Sequence, residues 1–231
     1  MTDSAGYYSD RFSAERLRRC YEIAPPRVRQ YFEAEIRYVL DKVRPSDMVL
    51  ELGCGYGRVL DKLAAKARVV VGIDNAPSSL ELAKSALSGS PNCHLLAMDA
   101  VSLGFAEAAF DVVVCIQNGI SAFKVDQRDL IRESVRVTRP GGTVLFSSYA
   151  ERFWSARLEW FELQAKHGLI GEIDRAQTRG GVIVCKDGFK ATTVGGDEFL
   201  ALCSSLGIEP RIEEVDGSSL FCEIRASDRH Q

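Results

Sequence analysis

An α/β fold on a mostly parallel sheet is what the sequence predicts, and three observations predict it. From residue 47 onward, short apolar and β-branched runs alternate with segments of helical periodicity, the mark of strands joined by crossover helices. The runs are nearly continuous in apolar residues, as strands covered on both faces must be. The chain of 231 residues, 46% hydrophobic and 26% charged, is long enough to bury one full core and short for two.

Each element follows from its own residues. YYSDRFSAERLRRCYEIA, near the start, is aromatic and mixed in charge, and reads as a flexible arm, a lid over a ligand or a frayed terminus. Pro25 and Pro26 then open a helix in which Val28, Phe32, Ile36, Val39 or Leu40, and Val43 form one apolar stripe that should pack on the sheet. Strands are expected at MVLEL (48–52), RVVVGI (68–73), CHLLA (93–97), DVVVCI (111–116) and TVLFSS (143–148). Residues 58–66, 78–87 and 127–137 carry apolar residues three and four apart and read as the connecting helices. Pro77 suits a first helical turn, where its missing N–H costs nothing.

Beyond the fifth strand the pattern changes. ERFWSARLEWFELQAKHG reads as a helix, followed by GEIDRAQ, a Gly180–Gly181 turn and VIVCKDGFKATTV, the last two runs reading as antiparallel strands around that turn. A helix over 197–206 and two strands over 209–215 and 220–225, joined across Asp216 and Gly217, complete the chain. The expected organisation is one domain: an N-terminal helical arm or lid (1–46), a ligand-binding core (47–149), an insertion placed to cap a substrate (150–194), and a closing helix and hairpin (195–231).

Composition narrows the function. The formal charge of −3, with Lys+Arg 29 against Asp+Glu 32, lacks the basic excess of a polyanion binder. Arg16, Arg18 and Arg19 beside Leu17 read as a solvated helix face. No apolar run approaches the roughly 18 residues of a membrane span, and the polar start MTDSAGYYSD is unlike a secretion signal. Seven cysteines without CxxC spacing read as buried thiols of a cytoplasmic protein, and His94, His167 and His230 stand at no metal-ligand spacing, so no metal is expected.

The chemistry is concentrated in VLELGCGYGR, where Gly53, Gly55 and Gly57 alternate between the first strand and a helix. Glycines there permit positive φ and let backbone N–H groups approach a ligand at the helix N-terminus. A dinucleotide fingerprint requires a third glycine where Arg58 stands. Asp74 ends the second strand, where a carboxylate can accept both ribose hydroxyls. Asp99, followed by Ala100, ends the third. Two acids at successive strand ends favour one adenosine over a dinucleotide.

These residues resemble the class I S-adenosylmethionine-dependent methyltransferases, through ELGCGYG, GIDNA (72–76), MDA (98–100), FDVVVCIQN (110–118) and RVTRPGGTVLF (136–146) in order. The resemblance covers 47–149 and extends loosely through the closing helix and hairpin. It implies a Rossmann-like seven-stranded sheet of order 3-2-1-4-5-7-6 with strand 7 antiparallel, and S-adenosylmethionine as cofactor. It places Glu51, Gly53 and Gly55 around the methionine part, Asp74 on the ribose and Asn75 beside the adenine. Asp99 and the Ala100 N–H would read the adenine edge, and Gln117 would offer its carbonyl near the cofactor amine. Arg139 to Gly142 read as the turn launching strand 5.

No Asn/Asp-Pro-Pro-aromatic motif follows strand 4, where Gln117, Asn118, Gly119, Ile120 and Ser121 stand, so methylation of nucleic-acid amino groups loses weight. Asn118 is the candidate nearest the transferred methyl. Tyr7, Tyr8 and Tyr21 of the arm, and Phe153, Trp154, Trp160 and Phe161 of the inserted helix, are candidate substrate walls. Among these, Tyr21 and Trp154 stand first. His167 reads as a helix-end histidine and Cys54 as a loop residue rather than a nucleophile. The expected acceptor is a small molecule, with a protein or RNA acceptor, or a cofactor-binding subunit without catalysis, as alternatives.

Overall fold

A computed structural model describes residues 14–227. Its elements run α1 (Ala14–Glu22), α2 (Pro26–Lys42), β1 (Met48–Leu52), α3 (Leu60–Ala64), β2 (Val69–Asp74), α4 (Pro77–Ala86), β3 (Cys93–Ala97), β4 (Phe110–Cys115), α5 (Gly119–Ala122), α6 (Gln127–Val137) and β5 (Thr138–Tyr149). A 3₁₀ turn (Glu151–Phe153), α7 (Trp154–Lys166), β6 (Ile183–Val184), β7 (Lys190–Ala191), α8 (Gly196–Ser204), β8 (Arg211–Val215) and β9 (Ser219–Arg225) follow. Tyr7, Tyr8 and His230 lie outside the described residues.

Seven strands form one sheet in the order β3-β2-β1-β4-β5-β9-β8. β1 to β5 are parallel, and β9 runs antiparallel to β5 with Phe146 opposite Cys222. With the two-residue strands β6 and β7 set aside, this is the topology that the resemblance implies. Val49, Val70, Val112, Val114 and Leu145 pack under α2, α3 and α4. Leu50, Ile73, Val113, Val144 and Phe146 pack on the opposite face with Leu130, Ile131 and Phe199 of α6 and α8. Both faces are therefore covered, which is why the strands read as continuous apolar runs. A third cluster, rich in aromatics, joins α1, α2, α7 and β6–β7 above the sheet. No helix among the described residues is long and apolar enough to cross a membrane.

Three local expectations change. Arg139 to Gly142 lie within β5 as a bulge: Thr138 pairs Phe110 and the register resumes only at Thr143 with Val112. Gly141 takes φ +75° there, and a Cβ on Gly142 would stand 2.7 Å from the Asp111 carbonyl. The helix expected over 58–66 shortens to Leu60–Ala64, because the chain first turns through Gly57 at φ +86°. The insertion turns twice: Arg179 and Val182 exchange both backbone hydrogen bonds at 3.0 Å across the expected Gly180–Gly181 turn, and a second turn at Asp187–Gly188 pairs Val184 with Lys190. Asp174 breaks the strand expected before the glycine turn, since its Oδ1 accepts the N–H groups of Ala176 and Gln177 and folds DRAQ into a turn. GEIDRAQ then contributes one bridge, Ile173 to Cys185.

Candidate functional site

The C-terminal ends of β1, β2 and β4 and the loop after β3 open into one cavity of about 250 Å³. Ligands of open α/β sheets bind at these ends, where the strand order reverses. Here the reversal lies between β1 and β4. The floor is the glycine loop, with Gly53 at φ +69° and Gly55 at φ +53°. A Cβ on Gly53 would stand 2.5 Å from the Phe123 ring, so only glycine fits this approach.

Asp74 holds the loop from below. Its Oδ2 accepts the Gly55 N–H at 2.8 Å and its Oδ1 the Ala76 N–H at 2.8 Å. Each oxygen keeps a lone pair for a further donor. Burial pushes this carboxyl above its usual range, opposed by those N–H groups. Asn75, Asp99 and Ala100 line the same end of the cavity. Asp99 is exposed, and its Oδ1 accepts the Val101 N–H at 3.0 Å.

Glu51, at the end of β1, is buried, and loss of solvation pushes its carboxyl up to about 8 despite the nearby Arg58 guanidinium. Among the described residues that line this cavity, three buried polar atoms have no partner: Glu51 Oε2, Arg58 Nη2 and Gln117 Nε2. Arg58 lies over the rings of Tyr21 (4.7 Å) and Phe32 (5.0 Å), which fix its guanidinium by cation–π contact. Leaving such atoms unbonded costs about 1–3 kcal/mol each, and more when charged. The cavity is thus built for a ligand that answers an acid, a guanidinium and an amide donor together.

Gln117 and Asn118 both adopt left-handed backbone, φ +56° and +61°, a costly conformation for residues other than glycine. The Gln117 N–H donates to Ser147 Oγ at 2.8 Å and to Glu35 Oε2 at 3.2 Å, and Tyr21 on α1 donates its hydroxyl to Gln117 Oε1. Asn118 lines the cavity, but its amide is already engaged. Its Oδ1 accepts from Ser148 Oγ and its Nδ2 donates to the Thr192 carbonyl, both at 2.9 Å.

Among the sequence candidates Glu51, Gly53, Gly55, Asp74, Asn75, Asp99, Ala100, Gln117, Asn118 and Tyr21 line one cavity, and Trp154 does not. From α7, Trp160, Phe161 and Gln164 line the cavity. Trp154 sits half-buried on the first turn of α7, its ring 6.0 Å from the Arg157 guanidinium. Trp160 is pinned by its Nε1 donating to the Cys20 carbonyl at 2.8 Å. Phe153 packs away from the cavity against Tyr31, and His167 is exposed at the end of α7. Burial raises the Cys54 thiol, which rules it out as a thiolate nucleophile. The described residues contain no cluster of metal-ligating side chains.

Sequence reasoning passed over Arg58, Glu35, Gln164 and Phe189. Arg58 counted only as a missing glycine, although a long cation directly after a glycine loop was a signal for an anionic group. Glu35 interrupts an otherwise apolar helix face, and a carboxylate flanked by Phe32, Ile36 and Val39 was the mark of a buried acceptor.

Comparison with known proteins agrees with the geometry. Residues 49–142 match the family model described as "Methyltransferase domain". The ubiquinone biosynthesis O-methyltransferase of Paracidovorax citrulli is 32% identical over 103 residues, 43% of this chain and 42% of that protein. The probable tRNA methyltransferase 9B of Bos taurus is 28% identical over 127 residues, 54% of this chain and 24% of that protein. The chain thus spans less than half the length of the curated relatives it matches. Among solved structures, the N-methyltransferase NodS from Bradyrhizobium japonicum WM9, in complex with S-adenosyl-L-homocysteine, superposes with a TM-score of 0.61 at 18% identity, over 96% of this chain and 98% of that one. The likeness is one of fold.

Proposed function

We propose that this chain, with its methyltransferase domain over residues 49–142 and the sheet order of the class I S-adenosylmethionine-dependent methyltransferases, transfers the methyl group of S-adenosylmethionine to a small molecule, releasing S-adenosylhomocysteine. One observation carries the reading. The three partnerless atoms of Glu51, Arg58 and Gln117 stand in the same cavity as Asp74 and Asp99. The first set complements an amino-acid ammonium and carboxylate, the second a ribose diol and an adenine edge, as the neighbour NodS in complex with S-adenosylhomocysteine also suggests.

In this reading Glu51 accepts from the ammonium and Arg58 donates to the carboxylate. Asp74 uses its remaining lone pairs on the ribose hydroxyls, with Asn75 beside the base and Asp99 and the Ala100 N–H on its edge. The cofactor supplies an already activated methyl, so the protein's work is to align an acceptor and exclude water. Gln117 and Asn118 hold the end of β4 beside that methyl, and Tyr21, Trp160, Phe161 and Phe189 wall the acceptor side. The segment 150–194 acts as the substrate cap, and α1 closes the cavity through Leu17, Cys20 and Tyr21.

A macromolecular acceptor is the second reading, favoured by the likeness to the probable tRNA methyltransferase. The arginines that would have to form a phosphate track are otherwise engaged. Arg18 and Arg19 pair with Glu22, Arg27 with Asp216, and Arg29 bonds the Ala24 carbonyl. The test is transfer of labelled methyl from S-adenosylmethionine by the purified protein into a lysate separated into small molecules, protein and RNA. Label in the small-molecule fraction is expected, and label confined to RNA or protein would overturn the small-molecule reading.

A further inference from the structure

We propose that the methyl acceptor is a small aromatic acid that enters as an anion and is methylated on its own ionised oxygen, held in the half of the cavity between α5, α7 and the β6–β7 hairpin. The inference rests on the cofactor reading above and adds the chemical class of the substrate.

Charge divides the cavity into two ends. The carboxylates that line it, Glu51, Asp74 and Asp99, all stand at the tips of β1 and β2 or after β3. The other end is walled by the rings of Tyr149, Trp160, Phe161 and Phe189 and by the Gln164 amide, and carries no carboxylate. Around that end three elements bring cations together. Arg157 lies behind the wall, its guanidinium 4.4 Å from the Tyr149 ring centroid and 5.4 Å from that of Phe161. Lys190 immediately follows Phe189, and Lys124 sits between Phe123 and Val125, which both line the cavity.

The Thr192 carbonyl ties this corner together, accepting from Asn118 Nδ2 at 2.9 Å and Arg157 Nη2 at 3.4 Å. That clasp draws β7 against α5 and brings Lys190 toward Lys124. Burial and the charges of Lys190 and Arg157 accordingly lower the Lys124 ammonium below its usual value. A chamber with no carboxylate among its described lining residues, backed by Arg157 and flanked by Lys124 and the exposed Lys190, attracts an anion and repels an ammonium.

Among the described residues no base lines this end: Glu35 is held outside the lining by the Gln117 N–H and Ser219 Oγ. Burial raises the phenol of Tyr149 to about 12 and that of Tyr21 further, so both stay protonated at neutral pH. A nucleophile that must lose a proton there has no acceptor for it, whereas a carboxylate or an acidic hydroxyl arrives ionised. In the transfer the anionic oxygen's lone pair forms the new O–C bond. The S–C bond breaks with its electron pair going to sulfur, and no proton moves. A sulfonium and an anion become two neutral products. Such charge annihilation is favoured where water is excluded, because the reacting ions lose little solvation on the way to the transition state.

The experiment uses the Trp154→Phe protein saturated with S-adenosylhomocysteine, so that Trp160 is the sole tryptophan and reports on the chamber. Calorimetry first establishes that S-adenosylhomocysteine binds. Absence of that binding would overturn the cofactor reading itself. On the loaded protein, benzoate, benzyl alcohol and benzylamine are titrated by Trp160 fluorescence. Benzoate is expected to bind most tightly and benzylamine least. Lys124→Glu, and separately the exposed Lys190→Glu, should weaken benzoate about tenfold with S-adenosylhomocysteine affinity unchanged. Benzylamine or benzyl alcohol binding as tightly as benzoate, or benzoate affinity insensitive to both reversals, would overturn the anionic acceptor and leave the cofactor reading intact.

Discussion

Tyr21 and Gln117 are 96 residues apart in sequence and joined by a hydrogen bond from the Tyr21 hydroxyl to Gln117 Oε1. The bond occupies the oxygen of the Gln117 amide and leaves Nε2, its buried donor, without a partner beside the cavity that Gln117 lines. Tyr21 also carries Arg58 on its ring face. One side chain of α1 therefore sets two of the groups assigned to the amino-acid end of the cofactor. Tyr21→Phe should keep the ring packing and lose the orientation, weakening S-adenosylhomocysteine by about 1 kcal/mol, near fivefold, in calorimetry. Unchanged affinity would show that the hydroxyl does no more than fill space.

Asp74 is expected to hold the ribose diol while bracing the glycine loop through the Gly55 N–H. Asp74→Ala should cost ~1–3 kcal/mol of cofactor affinity by equilibrium binding. Full affinity in that variant would refute the assignment.

Burial makes two carboxyls report on ligand binding. Glu35 is pushed up to about 7 and Glu51 to about 8, both mainly by loss of solvation. Raised values mean that the folded state binds more protons than the unfolded state, so the stability they contribute is greatest at low pH. It declines as pH rises from the unfolded range near 4.5 through 7 to 8. Chemical denaturation of the ligand-free protein should show this slope, and Glu51→Gln should flatten its upper part. An ammonium placed against Glu51 favours the ionised form. Binding of S-adenosylhomocysteine at pH 7 should therefore release protons, seen as calorimetric enthalpies that vary with the buffer's ionisation enthalpy. Proton uptake would contradict the placement.

The two tryptophans should separate cleanly. Trp160→Phe removes the donor to the Cys20 carbonyl and part of the cavity wall, and methyl transfer should fall severalfold in steady-state assays. Trp154→Phe lies outside the cavity and should change it by no more than about twofold, as substitutions away from a site do. Equal effects would mean that α7 acts only as packing.

Much of the fold and half of the site were legible in the chain because both are written in local signals. Continuous apolar strands, the glycine loop and an acid at a strand end each depend on a few adjacent residues, and Asp74 and Asp99 could be read from their positions alone. What escaped depends on long-range geometry. GEIDRAQ gives one bridge and no continuous strand because the Asp174 side chain captured its own backbone. Periodicity puts Trp154 and Trp160 on different faces of α7, and which face lines the cavity is decided by how the helix packs against α1 and α2. Glu35 reaches Gln117 from α2 across the sheet edge, a contact that no spacing in the sequence announces.

Glu51, Arg58 and Gln117 are assigned together to the amino-acid end of the cofactor. The direct measurement compares, by calorimetry, S-adenosylhomocysteine with 5′-methylthioadenosine, which keeps the adenosine and lacks that end. The account predicts that S-adenosylhomocysteine binds about a hundredfold more tightly, as two charged hydrogen bonds require, and that Arg58→Ala removes most of the difference. Equal affinities in the unsubstituted protein would contradict it.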